Sequence, residues 1–319
     1  MIILASFTFT PMLYGLLKIW VRLGLPFFAK SVHITGRDKL AAQGPLVLAI
    51  NHPNSFLDAI LLGAFMHHPV HFHTRGDVFK KGWVRRLLTR INMLPVYRLR
   101  DGKEKLSLNQ QTFEKSEGVL TKNGILLVFV EGFCEYQTTL QLPLKKGAPR
   151  VIEASWRKGL PVQVLPVWLY YSSFRQYGKH IEIHLGEVIP PLTGIHQSEP
   201  SVVWQRINQQ MAEELSALEQ KANIGRKPPR QQRPFWLLLP AMLGAILHTP
   251  LYLPVQAVVY RFTSKEVHYD SVLLAVLLLL YPLYLLLLSL ALALTVGGWW
   301  FFMPLLLLPA LARAFVCWK

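Results

Sequence analysis

From Ser271 to Val296 the chain runs for 26 residues without a charge. About 20 apolar residues in a helix cross a bilayer core. A helix apolar on all sides inside a soluble protein would need protein on every side. The run therefore predicts a membrane-spanning helix. After Gly297-Gly298 a second apolar run, Trp299 to Leu311, continues to Arg313, and the two read as a helical hairpin. Upstream, Pro234 to Tyr260 is also uncharged and long enough to span. It carries Pro240, Pro250 and Pro254 with His248 between them, so it reads as a re-entrant or kinked segment.

Hydrophobic residues make up 52% of the chain, but this average hides two parts. Residues 234–319 form a C-terminal membrane region of two or three hydrophobic segments. Residues 31–222 are a globular domain. Between them, residues 223–233 (Asn-Ile-Gly-Arg-Lys-Pro-Pro-Arg-Gln-Gln-Arg) are a basic linker. Residues 1–30 read as a pair of N-terminal helices on the membrane interface. Lys18 and Arg22 give the second an amphipathic pattern, and Trp20, Phe27 and Phe28 add interfacial aromatics. A core-packing N-terminal helix is the alternative.

Lys and Arg number 34 against 18 Asp and Glu, so the chain suits a polyanionic partner. Nucleic acid is the default for a soluble basic domain. The apolar segments favour a lipid surface instead, where each nearby basic residue contributes about 1 kcal/mol. The positive-inside tendency then puts the linker and the globular domain on the cytoplasmic side of the inner or plasma membrane. Cys134 and Cys317 are the only cysteines, which gives no disulfide framework and fits a reducing compartment. His67-His68 and His71-x-His73 lie in a loop and strand stretch and do not make a metal pattern.

Within the globular domain, short apolar runs alternate with helical periods. Strands are expected at 45–51, 70–74, 93–97, 125–130, 163–170 and 181–185. Helices are expected at 55–65, 78–91, 102–122 and 201–222, the last with Ile207, Met211, Leu215 and Leu218 on one face. Alternation of this kind predicts an α/β domain with a mixed sheet flanked by helices.

The segment Asn51-His52-Pro53-Asn54-Ser55-Phe56-Leu57-Asp58 stands between a strand and a helix. A histidine there, its ring held by a carboxylate, is a general base for a hydroxyl. Five residues separate His52 from Asp58, so the two meet only if His52 precedes the helix and Asp58 sits in its first turn. Ser55-x-x-Asp58 is equally a capping-box pattern in which Asp58 serves the backbone. The segment alone supports both readings.

These residues resemble the phospholipid/glycerol acyltransferase (PlsC-like) family, whose first motif has His and Asp separated by four residues. The five-residue form is similar to a branch with glycerol-3-phosphate and dihydroxyacetone-phosphate acyltransferases. Three more segments follow in the family's order. Leu94-Pro95-Val96-Tyr97-Arg98 resembles the second motif and implies Arg98, or Arg100 close by, as the phosphate holder. Phe129-Val130-Glu131-Gly132 resembles the third, so Glu131 and Gly132 carry over, whereas the motif's arginine does not, Cys134 standing in its place. Leu144-Lys145-Lys146-Gly147 resembles a Phe-Lys-Lys-Gly segment and adds Lys145 and Lys146 to phosphate binding. Leu165-Pro166-Val167 resembles the fourth motif, whose proline, here Pro166, shapes the acyl-donor side.

The resemblance covers about residues 33–190 and makes 31–222 an acyltransferase catalytic domain. It implies His52 as base, oriented by Asp58, and direct transfer from acyl-CoA or acyl-carrier protein to a phosphorylated glycerol-type acceptor. No metal or prosthetic group is implied. Lysophosphatidate or another lysophospholipid is the alternative acceptor, and a basic membrane scaffold is the non-enzymatic alternative. A transporter is excluded by too few spans and too large a polar domain. On this reading the C-terminal hydrophobic region adds only membrane attachment.

Overall fold

A computed structural model describes residues 2–97, 107–224, 234–264 and 266–319. The chain begins with helix α1 (Ile2–Gly24) and strand β1 (Ala29–Thr35). Strand β2 (Leu46–Ile50) leads into helix α2 (Phe56–Phe65). Then come β3 (Val70–Arg75), α3 (Gly82–Arg90), β4 (Met93–Val96), α4 (Leu108–Thr121) and β5 (Ile125–Phe129). Helix α5 (Gly147–Arg157), the pair β6 (Gln163–Tyr171) and β7 (Lys179–Leu185), and helix α6 (Pro200–Ile224) complete the globular part.

Among the described residues the strands form one sheet in the order β1-β7-β6-β2-β5-β3-β4. β2 lies at its centre, parallel to β5 (Ile50 opposite Phe129) and to β6 (Ile50 opposite Val167). β6 and β7 are antiparallel, which makes the sheet mixed.

The alternation of side chains along β2 builds two cores. Leu46, Leu48 and Ile50 face one side and pack with Leu57, Leu61 and Leu62 of α2. Val47 and Ala49 face the other and pack with Val151, Ile152 and Trp156 of α5 and Ile207, Met211 and Leu215 of α6. All five β2 residues are fully buried. Burial on both faces is why this strand reads as a continuous apolar run.

The N-terminus differs from the expected helix pair. One helix, α1, leads through a single 3-10 turn (Leu25–Phe27) directly into β1. Its two cations donate to backbone carbonyls of the globular part. Lys18 Nζ donates to the Met66 and His67 carbonyls, and Arg22 to those of Ala64 (2.6 Å) and Phe65 (3.3 Å). Those carbonyls close the C-terminal end of α2, where orphan acceptors and the helix dipole favour cations.

Beyond residue 233 stand helix α7 (Leu238–Thr263), α8 (Tyr269–Thr295) and α9 (Phe302–Trp318). The segments Phe235–Thr263, Tyr269–Thr295 and Gly298–Trp318 are each long and apolar enough to cross a membrane. α7 continues through Pro250 and Pro254 as one helix. The region is not a detached anchor. Leu274 of α8 belongs to the core of the sheet, Arg313 of α9 donates to the carbonyls of Pro26, Ala29 and Lys30, and Trp20 donates to Leu278 O.

Candidate active site

His52 follows the C-terminal end of β2 and Glu131 that of β5, the adjacent parallel strand. Carboxyl ends of parallel strands are where open α/β sheets place their ligands. Asn51, buried, bridges the end of β2 to β6: its amide donates to Leu169 O (2.9 Å) and accepts from Leu169 N (2.8 Å).

The His52 ring then stacks on Phe129, with centroids 3.5 Å apart and planes 19° apart. His52 Nδ1 lies 2.9 Å from Asp58 Oδ2. A carboxylate accepts, so Nδ1 carries the proton and Nε2 is left with its lone pair. The His52 side chain keeps 15% of its surface exposed, while Asp58 has none.

The chain turns between the two as the spacing requires. Helix α2 starts at Phe56, and Asp58 stands in its first turn. Ser55 is the N-cap, but its side chain makes no capping bond. Asp58 Oδ2 also accepts from Asn54 N (2.9 Å), and Oδ1 accepts from the Tyr171 hydroxyl (2.6 Å). Asp58 is thus the partner of His52 and also a backbone acceptor, but from Asn54 and not from the cap residue Ser55, whose amide goes to Cys134, so the capping box does not form. Burial beside this carboxylate pushes the Tyr171 hydroxyl well above its ordinary value, so it stays a donor.

Glu131 is fully buried and turns its oxygens to protein donors. Oε2 accepts from His52 N (2.8 Å), and Oε1 from Gln141 N and Gln137 Nε2 (both 2.9 Å). Burial raises its pKa and so favours the neutral form, and the Gln141 and His52 amides oppose this. Glu131 therefore fixes the backbone of His52, and Glu135 N adds a bond to His52 O (3.4 Å). No arginine partner holds Glu131 among the described contacts.

Gly132 has φ +71°, and a Cβ there would come within 2.5 Å of Lys145 Cγ. The stem of Lys145 lies over Gly132, so this position needs glycine both for its conformation and for the approach. Lys145 and Lys146 are exposed, Lys146 as the N-cap of α5. Pro166 is buried within β6 opposite Ala49 and accepts from Gly186 N (2.8 Å). Arg98 and Arg100 lie outside the described residues. Cys134 Sγ accepts from Ser55 N (3.0 Å), and burial pushes its thiol up to about 12, the opposite of an activated nucleophile.

Residues 31–170 match the family model described as Acyltransferase. The chain carries an acyltransferase domain. Its sheet and flanking helices share the fold of a solved structure, the 1-acyl-sn-glycerophosphate (LPA) acyltransferase PlsC from Thermotoga maritima. The two chains are 15% identical, with a TM-score of 0.50 over 69% of this chain and 86% of that one. No curated protein matches the chain.

The candidate site also holds Tyr171, Asp270 and Ser271, which lie outside the segments that resemble the family's motifs. Asn51, Tyr171 and Phe129 stand around His52 and Asp58. From α8, Asp270 Oδ2 accepts from Asn54 Nδ2 (2.7 Å), and Ser271 Oγ donates to Asn54 O (2.8 Å) and accepts from Leu57 N (3.1 Å). Ser55 Oγ meets His268 Nδ1. The expectation that the C-terminal region adds only membrane attachment is thereby corrected, because its second helix touches the loop that carries His52. The one signal in the sequence was Asp270, a charge at the mouth of an uncharged run.

Proposed function

We propose that this acyltransferase moves a fatty acyl group from acyl-CoA or acyl-carrier protein to the hydroxyl of a phosphorylated glycerol acceptor, glycerol 3-phosphate or dihydroxyacetone phosphate, in phospholipid synthesis. The observation that carries this reading is His52 with its Nδ1 held by Asp58, while Nε2 has no hydrogen-bond partner among the described residues. Nε2 takes the acceptor's hydroxyl proton as the oxygen attacks the thioester carbonyl carbon. The tetrahedral oxyanion collapses and the C–S bond breaks. The thiolate leaves and takes the proton back from the imidazolium. Asp58 orients the ring and stabilises its charged form, as a buried carboxylate does in catalytic triads.

In this proposal Arg98, with Arg100 beside it, holds the acceptor phosphate by a bidentate contact, and Lys145 and Lys146 add positive charge. Glu131 and Gly132 shape the loop against which the acceptor sits, and Pro166 supports the donor side from within the sheet. No cofactor enters the scheme. The Arg226, Lys227, Arg230 and Arg233 cluster supports a catalytic domain on the cytoplasmic side. Lysophosphatidate is the second acceptor to be tested, because the fold is that of a protein named for it.

Purified protein given labelled acyl thioester with each acceptor in turn tests the reading. His52→Ala should lower kcat by about 10²- to 10⁴-fold, the usual worth of a general base. Transfer undiminished in that variant would sink the mechanism. Arg98→Ala should raise the acceptor KM and leave the donor KM alone.

A further inference from the structure

We propose that the first turn of α8 belongs to the apparatus that sets His52, and that Asp270 and Ser271 are positioning residues for acyl transfer. This rests on the function proposed above.

The loop between β2 and α2 is held from two directions. Its first part, Asn51 and His52, is tied to β6 and to the loop after β5, within the globular domain. Its second part is tied to the membrane region. Asn54 meets α8 twice, through Asp270 and through Ser271, and Ser271 also receives the Leu57 amide. Ser55 meets His268, which precedes α8.

Ser55 itself has φ 56° and ψ −142°. Residues other than glycine rarely adopt such a backbone, and they keep it only where the surroundings over-determine it. Asn54 and Leu57, tied to α8, flank it on either side, and its own amide goes to Cys134 Sγ.

The route from α8 to the base is short. Asp270 and Ser271 fix Asn54. The Asn54 amide donates to Asp58 Oδ2, the same oxygen that receives His52 Nδ1. A shift of Asn54 therefore disturbs the atom that sets the imidazole. Reacting groups displaced by about 1 Å cost about 100-fold in rate.

A helix that only anchors needs none of this. Asp270 is 1% exposed, Ser271 is fully buried, and Asp270 is paired with Lys179 of β7, itself buried. A buried carboxylate at the start of an apolar helix is held there by specific partners, or the helix pays a desolvation penalty.

The experiment uses the full chain in lipid nanodiscs with Cys317→Ser, which leaves Cys134 as the only thiol. Ser271→Ala and Asp270→Asn are compared with Ser289→Ala, a buried serine later in α8. Two quantities are read: kcat and KM for both substrates, and the rate at which N-ethylmaleimide alkylates Cys134, which lies under Ser55. Ser271→Ala should lower kcat by about 10- to 100-fold with each KM nearly unchanged. Cys134 is partly covered in the parent, so the variant should also raise its alkylation rate, as loosening of a local unit does. Ser289→Ala should change neither. Equal labelling rates in Ser271→Ala and Ser289→Ala overturn the proposal. If Asp270→Asn does not fold, Ser271→Ala alone decides. If the parent chain transfers no acyl group to any acceptor, the function reading fails, and the Cys134 rates still decide whether α8 holds the loop.

Discussion

Asp58 collects hydrogen bonds from His52, Asn54 and Tyr171, three donors on one buried carboxylate. Tyr171→Phe removes one of them. A hydrogen bond to a charged group is worth about 1.5–3 kcal/mol, so the variant should unfold at lower denaturant and lose part of its kcat, while both KM values stay close to the parent's. His73 gives a different prediction. Its Nε2 pairs with the buried Ser116 hydroxyl (2.8 Å), and burial pushes it from its ordinary value of 6.5 down to about 4. The folded chain keeps His73 neutral, whereas the unfolded chain protonates it. Its contribution is therefore complete above about pH 6.5 and is lost as pH falls toward about 4, by at most about 3 kcal/mol. Denaturant midpoints at pH 7 and pH 4.5 should lie closer together in His73→Gln than in the parent. His52 and Asp58 were legible as a pair because only five residues separate them and those residues bear a turn. Tyr171 and Asp270 were not, because they reach the site across 113 and 216 positions, and no local pattern encodes such a meeting.

At the scale of elements, the cations of α1 close the end of α2 that lies opposite Asp58. Lys18→Ala with Arg22→Ala should lower the thermal midpoint, the pair together contributing about 1 kcal/mol through the helix terminus. Strands β2, β5 and β6 were readable because buried faces on both sides demand unbroken apolar runs. β1 was not. In Ala29–Thr35 only Ala29 and Ile34 are buried, with Lys30, Ser31 and His33 interrupting the apolar pattern between them. Helix α5 escaped for a related reason. Val151, Ile152 and Trp156 make its buried face, but Gly147, Pro149 and Arg150 in its first turn resemble a loop. The order of the strands was beyond any reading of the sequence, since β2 pairs with strands that follow it by more than 70 residues.

At the scale of the molecule, the globular domain and the membrane region share an ion pair. Lys179→Met alone leaves Asp270 buried without a counter-charge, and Asp270→Asn alone leaves Lys179 so. Each should cost about 3–5 kcal/mol, and the double variant less than either, because two buried charges vanish together. Thermal unfolding of the three variants in one detergent measures the cycle. If the two single losses simply add in the double variant, the pair is not what joins the two parts. The membrane region was legible as apolar length. Its engagement with the loop was not, because Asp270 and Ser271 look like the polar edge of a span until Asn54 and Lys179 are placed beside them.

The contact between Asn54 and α8 also bears on how the enzyme is made. The ribosome adds about 5–20 residues per second, so residue 270 is made about 10–40 s after residue 58. During that interval the nascent domain holds its base and its carboxylate but lacks the helix that braces the turn between them. On the proposal that α8 braces this turn, full activity arrives only once α8 is made, and a chain cut short before Tyr269 should transfer acyl groups more slowly than the full chain.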